Sequence, residues 1–508
     1  MKRLSILAII FFGCIGNCFA DIKMPKIFSD NMVLQREMKV PVWGRADPGE
    51  KIVVELGGHI AETIANADGK WKLYIGPLDI GGPFDFKVEG KNTILIKNVL
   101  VGEVWVCSGQ SNMAMEVRGC LNAQQEIESA DYPDIRYFQV KRVKAAKPLE
   151  DVSPIEDGKA NWLNKWQVCS PSTVSQLTGV GYFFALDLYK KLNLPIGLIS
   201  ASWGGTTAEA WTPLDTLQND PELQLILNNW PDYNNDEKWL KSEYEKYVKA
   251  VEMAKKEGET LPLYFNQPTV LFNGILAPII PYGIRGATWY QGESNAYRAY
   301  QYRDLFPAMI KQWRKKWGQG DFPFLFVQLA NYHFEPQVFP ELREAQTMAL
   351  SVPNTAMAMA IDIGDSANIH PKNKQEVGRR LSLAARTLVY GEQLIYSGPV
   401  YKSMQIDGNK CYLSFHHIGD GLVAKGNLPL KGFVIAGSDK VFVDAHAKIK
   451  GDRIVVWSDQ VAQPVAVRYA WANHPEGCNI YNKSEEKTHL PATPFRTDDW
   501  KGITWGRK

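Results

Sequence analysis

The 508-residue chain has 57 Lys and Arg against 55 Asp and Glu, a formal charge of +2, with 45% hydrophobic and 22% charged residues. This is ordinary globular composition, which excludes a disordered or collagen-like chain and, at about 150 residues per domain, predicts about three domains. Once Lys2 and Arg3 are set apart in a leader the rest carries no net charge, so nothing electrostatic argues for a nucleic-acid or anionic-membrane partner.

The leader comes first in the chain. Lys2 and Arg3 form a basic n-region, Leu4 to Ile15 is an apolar run of signal-peptide length, and Cys18-Phe19-Ala20 precedes the charged Asp21. Residues 1–20 therefore read as a signal peptide cleaved after Ala20, placing the mature protein outside the cell or in the periplasm. The rival lipoprotein reading rests on Phe12-Gly13-Cys14, a poor lipobox. No other segment approaches the ~18 uninterrupted apolar residues of a membrane span.

Residues 21–97 alternate apolar and polar residues in short runs, among them Val40–Trp43, Lys51–Leu56, Trp71–Tyr74 and Ile94–Ile96. Turn signals at Asp47-Pro48-Gly49, Asp68-Gly69 and Gly81-Gly82-Pro83 separate them, the pattern of an antiparallel β-sandwich. From 98 to 390 the rhythm changes. Apolar runs at Glu103–Cys107, Ile135–Val140, Ile196–Ser200, Gly286–Tyr290, Phe322–Leu329 and Ala356–Ile361 predict buried strands. Helical spacing at Gly181–Leu192, Tyr302–Trp317, Pro340–Leu350 and Lys374–Tyr390 intervenes, so an α/β unit with a parallel sheet covered on both faces is expected. An inserted region at about 214–270 holds a charge-rich surface helix near Asp236–Glu259, and residues 391–508 return to short strands.

Five cysteines lie beyond the leader: Cys107, Cys120, Cys169, Cys411 and Cys478. This odd, sparse set is no disulfide framework, although one or two bridges would suit an oxidising compartment. Cys-x-x-Cys and His-Glu-x-x-His are both absent, so neither metal nor other cofactor is expected. The 16 Trp and 21 Tyr suit sugar stacking or β-sandwich cores, and core packing is the default reading.

Chemistry gathers at the strand ends. Glu103–Cys107 runs into Ser108-Gly109-Gln110-Ser111-Asn112-Met113, which puts Ser111 at the carboxyl edge of the sheet, at the start of a helix whose N–H groups suit an oxyanion. Met113 replaces the last glycine of a Gly-x-Ser-x-Gly elbow. His370 follows strand Ala356–Ile361 and is the base best placed to meet Ser111. Ser202-Trp203-Gly204-Gly205 offers backbone N–H donors at another strand end, and Trp289–Asn295 offers the Gln291 and Asn295 amides.

These blocks, in this order, resemble those of SGNH hydrolases, and more closely those of the sialate O-acetylesterase family. The likeness extends through Phe272-Asn273-Gly274, Lys374–Arg380 and Pro494–Trp500, and is most specific at Trp289-Tyr290-Gln291-Gly292-Glu293-Ser294-Asn295. It implies a three-layer αβα SGNH domain flanked by β-sandwich elements, and metal-free removal of acetyl groups from sugar hydroxyls. One departure stands out. Where the superfamily places Asp three residues before the histidine this chain has Ala367, and where many relatives place it two before there is Asn368. Asp365 is the favoured third member, because Gly364 can turn the chain, with Asp362, Glu293 or a plain Ser–His dyad as alternatives.

The expected function is a secreted serine carbohydrate O-acetylesterase acting on acetylated sialic acids. Ser111 is the nucleophile, His370 the base, Asp365 its support, and Gly204, Gly205, Gln291 and Asn295 form the oxyanion hole beside the Ser111 N–H. An acetylxylan or pectin acetylesterase is the nearest alternative, and a non-catalytic carbohydrate-binding protein is the alternative from another class.

Overall fold

A computed structural model describes residues 21–155, 160, 162–230, 238–484 and 489–507, and the expected leader lies outside them. The N-terminal strands are β1 Val33–Gln35, β2 Val40–Arg45, β3 Lys51–Leu56, β4 His59–Ile64, β5 Lys70–Ile75 and β6 Gly81–Glu89. Strict alternation of exposed and buried residues in β5 fits a strand with one face on a core. Strand β7 follows, 17 residues from Thr93 to Gly109. Its first half pairs antiparallel with β6, while Leu100–Gly102 pairs parallel with β1. Its second half lies in the middle of a parallel sheet. The expected boundary at 97/98 thus falls inside one unbroken strand.

That sheet has the order β13-β12-β11-β7-β10-β8-β9, formed by β8 Tyr132–Gln139, β9 Trp166–Cys169, β10 Ile196–Ser202, β11 Gly286–Tyr290, β12 Phe324–Val327 and β13 Thr355–Ala358. All neighbours are parallel except β8 with β9. Side chains of β7 alternate between the two cores. Val104 and Val106 join one face with helix Ala299–Trp317, whereas Trp105 and Cys107 join the other with helices Gly179–Leu192 and Lys374–Leu388. The fold is α/β with the SGNH layering and additional antiparallel sheets. A helix at Lys238–Glu257 follows the α/β unit's middle strands, and two four-stranded antiparallel sheets build the C-terminal region around their own core.

Where β7 leaves the sandwich, its Glu103 carboxylate is wholly buried. It accepts from Arg36 Nε at 2.5 Å, Arg285 Nε at 2.6 Å and the Tyr390 hydroxyl at 3.0 Å. One acid therefore ties together the segment after β1, the entry to β11 and the end of the last helix of the α/β unit. A buried carboxylate is tolerable only with such partners.

All five cysteines among the described residues are free thiols, and none of the one or two bridges that were possible is formed. Cys107 and Cys169 face the sheet interior, where burial pushes both thiols up to about 12, so they pack as apolar groups.

Removing the Glu103 carboxylate leaves two arginines half-desolvated. Glu103→Ala should cost about 3 kcal/mol in chemical denaturation, while Glu150→Ala, which breaks only surface pairs, should cost less than about 1 kcal/mol.

Candidate active site

Gly109 ends β7 in register with Ser202 of β10 and Tyr290 of β11. Its φ of +137° is open only to glycine, and a Cβ there would stand 2.2 Å from the Tyr290 carbonyl oxygen. The chain flanks this point with two further ladder bonds, Gln110 N–H to Tyr290 O at 2.9 Å and Trp203 N–H to Gly109 O at 3.0 Å. Three strand ends thus stop at one level, where β7 separates the strands laid down on its two sides.

The side chains delivered there line a cavity of about 970 Å³. Gln110, Ser111, Gly204, Gly205, Glu293, Ser294, Ile369 and His370 are among its lining residues. The rest of its wall is aromatic: Tyr297, Tyr332, Phe334 and Phe339, with Tyr332 stacked on Phe334 at 5.6 Å. Asn473, from the C-terminal region, holds this wall. Its Nδ2 donates to Phe334 O at 2.7 Å, and its Oδ1 accepts the Phe339 N–H at 2.9 Å.

Ser111 opens the short helix Ser111–Ala114. Gly204 approaches so closely that a Cβ on it would lie 3.3 Å from Ser111 Cβ. The turn is held by Asn266 Nδ2 on Gly205 O at 3.0 Å and by Thr206 Oγ1 on Trp203 O at 2.8 Å. Among the described residues, the N–H groups of Ser111, Gly204 and Gly205 meet no protein acceptor. Open backbone donors lining the same cavity as the serine are the groups that a tetrahedral oxyanion requires.

The Gln291 and Asn295 amides, expected beside them, are turned away. Gln291 Nε2 donates to Thr206 O at 3.1 Å and to Asn295 Oδ1 at 2.6 Å, and its Oε1 accepts from Tyr302. Asn295 Nδ2 donates to Glu209 Oε2 at 2.8 Å. Both amides brace the turn after β10 from below, because Glu209 and Thr206 fold under the cavity and claim their donors.

Asp365 is likewise not placed to support the histidine. It is exposed, and its Oδ1 accepts the Ala367 N–H at 2.9 Å, closing a local turn. Burial alone would raise the Asp362 carboxyl, but it is gripped by Arg380 at 2.6 and 2.9 Å and by Tyr481, which hold it low. Glu293 faces Asn112 at 2.6 Å, with burial raising its pKa and its second oxygen unpartnered. Among the described residues no carboxylate bonds the His370 ring.

What positions the histidine is its backbone. Its N–H donates to Asn368 Oδ1 at 2.9 Å, and Asn112 Nδ2 donates to the preceding Ile369 carbonyl at 3.0 Å. Asn112 Oδ1 in turn accepts Lys374 Nζ at 2.6 Å. Asn112 and Lys374 stand inside the motif blocks but have no role in the expected site, although each lies within four residues of a residue that does. Burial lowers the His370 pKa from its ordinary value and Lys374 lowers it further, while burial brings Lys374 itself down to about 8. Both effects favour the neutral imidazole, the form able to accept a proton.

The family described as "Carbohydrate esterase, sialic acid-specific acetylesterase" matches residues 101–387. The mouse sialate O-acetylesterase is 31% identical, the alignment covering 92% of this chain and 93% of that protein. The human sialate O-acetylesterase is 29% identical over 92% and 91%. The crystal structure of a carbohydrate acetylesterase from Xanthomonas citri superposes with a TM-score of 0.81 at 36% identity, covering 94% of this chain and all of that one.

The electrostatics fix the sign of a pH effect. The acid limb of kcat/KM should fall below pH 6.5, and Lys374→Met, by removing a cation that disfavours imidazolium, should move it to higher pH. A pH–rate profile of the two proteins checks this.

Proposed function

The chain belongs to the sialic acid-specific acetylesterase family of carbohydrate esterases and is a carboxylic ester hydrolase, and we propose that Ser111 and His370 carry the reaction as a dyad. Ser111 Oγ attacks the acetyl carbonyl while His370 takes the hydroxyl proton. The oxyanion rests on the N–H groups of Ser111, Gly204 and Gly205. Collapse returns the proton to the departing sugar oxygen and leaves an acetyl-enzyme, which a water activated by the same histidine hydrolyses. The observation that carries this reading is the single cavity shared by Ser111, His370 and three open backbone donors.

The proposed substrate is an O-acetylated sugar, with acetylated sialic acids suggested by the names of the mammalian relatives. A second reading, an acetylated neutral polysaccharide such as xylan or pectin, is favoured by the cavity lining. Its wall is aromatic, which suits a sugar ring, and among the described residues no Lys or Arg lines it to meet a sialate carboxylate. Acetate release from both classes of ester separates the two. The basic-apolar leader supports a secreted or periplasmic location, and N-terminal sequencing of the exported protein should read from Asp21.

Ser111→Ala should lower kcat on p-nitrophenyl acetate by about 10⁶, whereas Asp365→Asn should cost less than about tenfold. A loss near 10⁴ in the second variant would instead make Asp365 the third member of a triad.

A further inference from the structure

With Gln291 and Asn295 turned away, the lining of the cavity still contains one side-chain amide. Gln110 directly precedes Ser111, is only 3% exposed and lines the cavity. Nearly every polar atom it owns is occupied. Its backbone N–H donates to Tyr290 O at 2.9 Å, and its carbonyl accepts the Met113 and Ala114 N–H groups at 3.0 and 2.9 Å. Its side-chain Oε1 accepts the Gly292 N–H at 3.2 Å and the Ser294 N–H at 3.4 Å. Two backbone donors aimed at one end identify that end as the oxygen and fix the plane of the amide. The Nε2 end is left, and among the described residues it has no acceptor. A donor held rigid by its own oxygen, next to the nucleophile and without a protein partner, is organised before any charge develops.

We infer that Gln110 Nε2 is the side-chain donor of the oxyanion hole. The inference rests on Ser111 being the nucleophile. As Ser111 Oγ bonds to the acetyl carbon, the carbonyl π pair moves onto oxygen, and that oxygen accepts an Nε2–H beside the backbone N–H groups. No proton is transferred to it, and the carbonyl reforms when the sugar oxygen leaves.

Gln110→Glu is the discriminating variant. It keeps an acceptor for Gly292 and Ser294, which is all that a purely structural role needs, and deletes the donor. On p-nitrophenyl acetate its kcat should fall on the order of 10²–10³ with KM within about threefold. Phosphonylation by a fluorophosphonate, located by peptide mass spectrometry, should remain at Ser111 and slow by a similar factor. Gln110→Met, which keeps the chain length without a buried charge, should lose as much and stands in if the Glu variant does not fold. A folded Gln110→Glu with kcat within about fivefold of the parent overturns the assignment, even if Gln110→Met is impaired, because the role is then structural. If Gln110→Glu does not fold, kcat within about fivefold of the parent in Gln110→Met overturns it as well. Wild-type protein phosphonylated elsewhere than Ser111 overturns the nucleophile, and the Gln110 assignment with it.

Discussion

Strand β7 belongs to two sheets at once, and the geometry of the candidate site depends on that continuity. Its first residues are a wall of the N-terminal sandwich, and its last are the centre of the parallel sheet. Because side chains alternate, Val104 and Val106 must face one core while Trp105 and Cys107 face the other. A slip of one residue would exchange all four and is therefore strongly resisted. Glu103 secures the strand where it passes between the sheets, and Gly109 stops it against Tyr290. Ser111 inherits its position from a register set along 17 residues.

The sequence announces this core well and its seam poorly. The apolar run Glu103–Cys107 is unmistakable, but Lys97 and Asn98 read as the end of the sandwich. They form an irregularity inside the strand, where the register with β6 shifts, and pairing resumes beyond them with β6 at Val99 and Val101 and with β1 from Leu100. Periodicity describes side chains, and this continuity is a property of main-chain hydrogen bonds.

The site shows a similar division. Ser111, Gly204, Gly205 and His370 were legible as residues following strand ends, and the structure brings them to one cavity. The direction of a side chain within a tight turn was not legible. Gln291 and Asn295 stand at the right strand end, yet Thr206 and Glu209, more than 80 residues away in the chain, take their amides. Asp365 stands at a sensible distance from His370, but a carboxylate two residues before a free N–H closes its own turn first. Spatial partners decided each case, and the local apolar pattern does not encode them.

Arg343 ties the far end of the chain into the α/β unit. It is fully buried and donates to the carbonyls of Leu329, Ala330, Ala472 and Asn473 at 2.7 to 3.0 Å, joining the exit of β12 to the C-terminal region. Burial depresses it to about 9, and its compensation is carbonyl dipoles in place of a carboxylate. Asn473, anchored this way, holds the backbone of Phe334 and Phe339 in the aromatic wall of the cavity. The C-terminal region is therefore no exchangeable cassette. The backbone of two aromatic residues that line the cavity is thus held by a side chain about a hundred positions beyond His370, so a change in the C-terminal region can reshape the cavity while Ser111 and His370 stay as they are.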